Sequence, residues 1–348
     1  MSLRWLKTIA GDAPLPDDIL EQNLLVSFAE AHHVVGQMAV VWQDKTDGKL
    51  KDILENGKLR TGFDHCMLAF EMNRLERALL GSEIKPILLK GGAYVALGLK
   101  AGQGRRVADI DILVGEHELE VVEKALLYAG WAFDTATANT YDTAYYRQHM
   151  HELPPLRHTK RRTVADVHHR LLPRTARIKI DFQKMVDAAV DVPGQAFRVF
   201  GPVDRFIHSA IHSFADGSFD TPARSLLELH YLFQELAPAE KVGLAGRAQE
   251  LGAAMPVGTA LWALATLFEN KSAADLLQNS RLKRANFLVL MALKGKLEHI
   301  DAARWAKSIL YVRSHFLRMP YHKLAAHLAK KLIRRVRTPA SVEAQKNN

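Results

Sequence analysis

Residues 87–114, ILLKGGAYVALGLKAGQGRRVADIDILV, constrain the fold of this chain more than any other stretch. A short apolar run, Ile87 to Leu89, leads into Lys90-Gly91-Gly92, a helix-like AYVALGL and a polar Gly/Arg connection. The strand-like Ala108–Val114 follows. In a strand successive side chains point to opposite faces, so Asp109 and Asp111 share one face while Ile110 and Ile112 enter the core. A strand, turn, helix and second strand within 28 residues require a sheet with a helix packed on it. Two carboxylates on one strand face make a cation site.

The flanking sequence extends this unit on both sides. Residues 17–43 read as helical, with Asp17 or Asp18 as N-cap and Ile19, Leu24, Leu25, Phe28, Val34 and Val35 as apolar positions. Residues 43–62 are polar and rich in Gly, Lys and Asp, and include a connection around Thr46-Asp47-Gly48. An amphipathic helix is expected over 64–80, with Met67, Phe70, Leu75, Leu79 and Leu80 inward and Glu71, Arg74 and Arg77 outward. After Val114, residues 116–129 suit a helix stopped by Gly130. Strands are expected over 131–137, 144–156 and 162–171, the last two joined as a hairpin across 158–161. Asp166 and His168 alternate with Ala165 and Val167, which lets Asp166 face the paired aspartates.

From Pro202 the pattern turns helical, with helices expected over 222–236, 239–252, 257–269, 273–294 and 299–332. Residues 338–348 have the composition of a disordered tail. The expected organisation is a helical segment over 1–80 packed on the core, a catalytic core over 81–200, a helical domain over 201–337, and the tail. The fold class is α+β, a mixed sheet core with flanking helices and a largely α-helical C-terminal domain.

At 348 residues the chain has ample material for a core. Cys66 is its one cysteine, which excludes an intrachain disulfide and a cysteine-rich zinc site. No run reaches the ~18 apolar residues that span a bilayer, and the first residues turn acidic before any apolar core. A cytoplasmic location is the default expectation. The net charge of +9 gathers largely in 157–177 and in the Lys330–Arg337 stretch. The apolar stripe Leu324, Leu328, Leu332, Val336 is read as docking on the protein itself, with a membrane surface or RNA as the less favoured occupant.

The ordered set Lys90-Gly91, Arg105 four residues before Asp109, and Asp109-x-Asp111 with apolar flanks resembles the polymerase-beta-like nucleotidyltransferases. Within that superfamily it is similar to the family catalogued as uncharacterised nucleotidyltransferases, over about residues 65–235. The resemblance implies transfer of an NMP unit from an NTP to an acceptor hydroxyl, with Mg²⁺ or Mn²⁺ held by Asp109, Asp111 and Asp166. Asp166 is then a metal ligand or the base. Lys90, Gly91, Gly92 and Arg105 are the phosphate-binding candidates: glycine lets the backbone approach closely, lysine adds a point charge and arginine a fork. His168 and His212 are candidates for the acceptor side or for support of the aspartates, with core packing as the alternative for each. Many superfamily members have Gly-Ser in the turn where this chain has Gly91-Gly92, so a phosphate-contacting hydroxyl is missing. A rival expectation follows, a weakly active or inactive nucleotide- or partner-binding regulator of the same fold; a third, supported only by the basic stretches, is an RNA-modifying transferase. The acceptor, small molecule, sugar, protein or RNA, is left open.

Overall fold

A computed structural model describes residues 3–133, 150–216, 221–280 and 304–318, together with Leu293 and Leu297. A seven-stranded mixed sheet lies at its centre. In chain order the strands are β1 (Ile87–Leu88), β2 (Asp109–Leu113), β3 (Trp131–Phe133), β4 (Leu156–His158), β5 (Val164–His168), β6 (Val190–Asp191) and β7 (Arg198–Val199). Their order across the sheet is β3-β4-β5-β2-β1-β7-β6. β2 is central, antiparallel to β1 and parallel to β5. Ile110 and Ile112 are buried, as alternation requires, whereas Asp109 is exposed at the strand start. The chain has the α+β architecture expected of a nucleotidyltransferase-like fold, and among the described residues no helix is long and apolar enough to cross a membrane.

Helices precede, flank and follow the sheet. They are α1 (Leu3–Ala10), α2 (Ile19–Ala31), α3 (Val35–Trp42), α4 (Gly48–Ala78), α5 (Lys90–Ala96), α6 (Leu119–Tyr128) and α7 (Gln183–Asp187), then α8 (Pro202–Ile211), α9 (Pro222–Glu235), α10 (Pro238–Glu250), α11 (Ala254–Leu267), α12 (Lys271–Gln278) and α13 (Arg304–Arg318). Pro202, Pro222 and Pro238 each stand in the first turn of their helix, where a missing N–H costs nothing. Asp18 caps α2 by accepting from the Glu21 N–H at 3.0 Å. The expected stripe over residues 324–336 and the tail over 338–348 lie outside the described residues, as does the 144–149 part of the expected strand over 144–156.

Three expectations are corrected. The helical stretch over 17–43 breaks at His32–Val34, where His33 takes φ 58° and turns α2 into α3. The connection at Thr46-Asp47 is present, but the polar residues after it form the first half of α4, which runs 31 residues. The buried positions of that half are Leu54, Gly57 and Thr61, of which only Leu54 is a large apolar side chain. Glu71 faces inward: it is 1% exposed and accepts two bonds from Arg161, at 2.5 and 2.8 Å. Phe70, expected inward, is instead 45% exposed beneath the Arg74 and Arg161 guanidiniums. The hairpin is present, with Leu156 opposite Ala165 and Arg157 opposite Val164.

Close backbone contact fixes the N-terminal helices on the connection that precedes β2. A Cβ on Gly36 would lie 2.3 Å from the Gly104 carbonyl oxygen, and one on Gly104 would lie 2.1 Å from the Gly36 oxygen. Gly104 also has φ 66°. Neither position admits a side chain, so α3 seats directly on the residues that carry Arg105 and Arg106 into the site.

Candidate active site

The site is built on the paired edges of β1, β2 and β5. Asp111 is the register partner of Asp166, Asp109 of Val164, and Leu113 of His168. Paired residues of adjacent strands project to the same face, so Asp109, Asp111, Asp166 and His168 stand together on one side of the sheet. Asp109 is reached by solvent through the cleft, yet the protein around its carboxyl strips enough water to raise it above its ordinary range, and neighbouring Asp111 adds to the rise. Burial likewise pushes Asp166 up, with Asp111, Glu152 and Asp109 repelling its charge, to about 7. Asp111 goes the other way: burial opposes its charge, but Lys90 and His168 hold it well below the usual carboxylate range.

Lys90 reaches Asp111 by an unusual route. The Leu89 N–H donates to the Asp111 carbonyl at 3.0 Å, which ties the end of β1 to β2. Lys90 then adopts φ 45°, a left-handed conformation that costs a non-glycine residue about 1–3 kcal/mol. Its Nζ donates to Asp111 Oδ1 at 2.6 Å. Burial opposes the ammonium, yet Asp111, Glu152 and Asp109 raise its pKa above the ordinary lysine value. On the other side of Asp111, His168 Nε2 lies 3.1 Å from the same oxygen.

Gly91 is required by Arg105. A Cβ on Gly91 would sit 2.0 Å from Arg105 Nη1, whereas a Cβ on Gly92 meets only Leu88 at 3.7 Å. The Arg105 guanidinium therefore lies flat on the turn. Its Nε donates to Glu228 Oε1 at 2.9 Å and its Nη1 to the Arg106 carbonyl at 3.1 Å. The His65 ring holds the Arg105 carbonyl at 2.8 Å. Glu228 belongs to α9, so this pair joins the turn to the C-terminal helices.

A cleft of about 460 Å³ opens over these residues. Lys90, Asp109, Asp111, Arg105 and Arg106 line it from the sheet side, and Ser209, His212, Arg224, Ser225 and Glu228 from the helices. Arg224 stands one turn before Glu228, with its Nε 3.6 Å from the same carboxylate oxygen. Burial lowers the Arg224 pKa, and Arg105 lowers it further against the pull of Glu228. Tyr94 also lines the cleft; burial pushes its phenol up, and Glu228 pushes it the same way. His212 is half-buried, and burial, Lys90 and His208 hold it well below its ordinary pKa, so it is neutral.

The structure thus brings Lys90, Gly91, Arg105, Asp109, Asp111, Asp166, His168 and His212 into one region. Gly92 adjoins it without a close contact. Arg170, four residues after Asp166, donates to Glu116 Oε1 at 2.7 Å. His168 bonds Asp111 and not Asp166. Sequence reasoning missed Glu228, Arg224 and Arg106. The signal for Glu228 is a lone carboxylate inside Leu226-Leu227-Glu228-Leu229, with an arginine four residues before it.

A comparison with curated proteins gives no significant match. A family model described as "Uncharacterised nucleotidyltransferase" matches residues 20–269, which take in the turn, the three aspartates and the helices that close the cleft, and the chain belongs to that family.

Proposed function

We infer that the chain transfers an NMP unit from an NTP to an acceptor hydroxyl in a divalent-metal-dependent reaction that releases pyrophosphate. The observation that carries this reading is the register of Asp111 with Asp166, with Asp109 on the same face, under a cleft lined by four cationic side chains. The donor set fits the ion. Asp109, Asp111 and Asp166 offer hard carboxylate oxygens, the ligands that Mg²⁺ and Mn²⁺ take, and the raised pKa values of Asp109 and Asp166 express a repulsion that a bound cation relieves. Such an ion, held by these three residues, would supply charge neutralisation at the phosphates.

The remaining roles belong to the chain's own groups. Lys90 balances Asp111 and lines the cleft, so the same ammonium would serve phosphate oxygens where a cation neutralises that carboxylate. Arg105 holds the turn against α9 through Glu228, and Arg224 faces the aspartates from the helical side, a position suited to phosphate. The Gly91-Gly92 backbone gives the closest approach available in a turn without serine. Asp166 completes the carboxylate set or takes the acceptor hydroxyl's proton. The assignment of residues 1–80 as a supporting helical segment, 81–200 as the catalytic core and 201–337 as a helical domain that closes over the nucleotide belongs to the same proposal.

One observation favours a second reading: Asp111 is already satisfied by Lys90 and His168, as in a regulator that binds nucleotide without turnover. The two separate on incubating the purified protein with Mg²⁺ and each NTP, with and without cell extract, beside Asp109→Asn/Asp111→Asn. Pyrophosphate release that the double variant loses supports the transferase. Nucleotide binding without pyrophosphate under every condition supports the regulator.

A further inference from the structure

Next to Asp111, around His168, a second donor set of different chemistry is assembled. His168 Nδ1 lies 3.4 Å from Glu152 Oε2, and His151 Nε2 lies 3.8 Å from the same oxygen. One donor atom from each of the three residues falls within 4.8 Å of the others. The two histidines are buried, while Glu152 is half-buried. We propose that His151, Glu152 and His168 form a Zn²⁺-type transition-metal site that orients Asp111.

Backbone pairing holds the three residues together. Glu152 bridges His168 as an added antiparallel partner of β5. The Leu153 N–H donates to the Val167 carbonyl at 2.9 Å, and the His169 N–H to the His151 carbonyl at 2.9 Å. Donors fixed by strand pairing on both sides are pre-organised, which is what a metal site needs. Zinc bonds of ~2.0–2.2 Å at tetrahedral angles place ligand atoms about 3.4 Å apart. The two distances to Glu152 are at or near that value, and the separation of the two imidazole nitrogens lies within 4.8 Å.

Donor accounting at His168 points the same way. Its Nε2 faces Asp111 Oδ1 and its Nδ1 faces Glu152 Oε2, and a carboxylate oxygen only accepts. A cation held between Nδ1 and Glu152 would leave the Nε2 side of the ring to donate to Asp111. The result is the carboxylate–histidine–metal arrangement in which the outer carboxylate and the ligand orient each other. Two imidazole nitrogens with one carboxylate favour a first-row transition ion over Mg²⁺, whereas the three aspartates in front offer only oxygen.

The test is a Zn²⁺ titration of the metal-stripped full-length protein in excess Mg²⁺, against a chromogenic chelator and with no nucleotide present. Wild type is expected to bind one Zn²⁺ per chain and its Co²⁺ derivative to show nitrogen-ligated d–d bands, with affinity falling in Glu152→Gln and in His151→Ala by more than the about 10–100-fold that loss of an outer partner of a ligand causes. Absence of Zn²⁺ binding by wild type in excess Mg²⁺ overturns the proposal, and so does an affinity that neither variant changes. The wild-type titration and Co²⁺ spectrum decide the matter even where a variant fails to fold. Since no NTP is present, the outcome is independent of the transferase reading.

Discussion

The Lys90–Asp111 and Arg105–Glu228 pairs line one cleft at 2.6 and 2.9 Å, and their surroundings differ. Asp111 stands among like charges: Asp109 and Asp166 share its face, and Glu152 adds to the repulsion felt by Asp166. Glu228 stands between two guanidiniums, Arg105 and Arg224. The first pair thus occupies a region of excess negative charge where an ammonium is one of several cations that fit. The second clamps the Gly91 turn to α9, and Gly91 is shaped around it. An ion pair in a site is therefore exchangeable or structural according to the charges beside it, not its own length.

Substitutions at each pair test this contrast. Asp109→Asn/Asp111→Asn should lower pyrophosphate release by about a thousandfold or more, the scale of losing the main electrostatic support of a transition state. Glu228→Ala, by contrast, leaves Arg105 buried without its carboxylate and should cost about 3–5 kcal/mol in urea unfolding. Asp111→Asn also removes a charge from a crowded carboxylate group, so its stability loss should be clearly smaller than that of Glu228→Ala. Equal losses would break the comparison.

Gly91→Ala should cost about 1–3 kcal/mol because the new methyl meets the Arg105 guanidinium, while Gly92→Ala has room and should be close to neutral. Thermal midpoints of the two variants decide it. The smallest effect concerns His208, whose burial, with Lys90 and His168 nearby, lowers its pKa from 6.5 to about 3. The unfolded chain binds this proton more readily, so the stability is complete above the unfolded value and lost as pH falls toward the folded one. Between about pH 7 and pH 6 the loss from this residue is about 0.7 kcal/mol, readable as the pH slope that His208→Gln removes.

Much of the site was legible because its residues are close in sequence. The aspartates of β2 declare themselves through the apolar residues between them, and the glycine turn through its place between strand and helix. Asp166 was legible through the same alternation in Val164–His168. What was hidden depends on distant packing. That Arg105 ends on Glu228, 123 residues away, follows from how α9 lies over the turn, and no local pattern carries it. The first half of α4 escaped because its buried stripe is Leu54, Gly57 and Thr61, which local hydrophobicity reads as polar connection. β6 and β7 escaped because strands of two residues have no period to detect.

The most direct test of the central claim is which phosphorus moves. The protein, Mg²⁺ and extract are incubated with NTP labelled at either the α- or the γ-phosphorus, and the label is followed into acceptor and into pyrophosphate. The account predicts α-label in the acceptor and γ-label in pyrophosphate, both lost in Asp109→Asn/Asp111→Asn. γ-Label in the acceptor, or nucleotide bound with neither label moved, would contradict it.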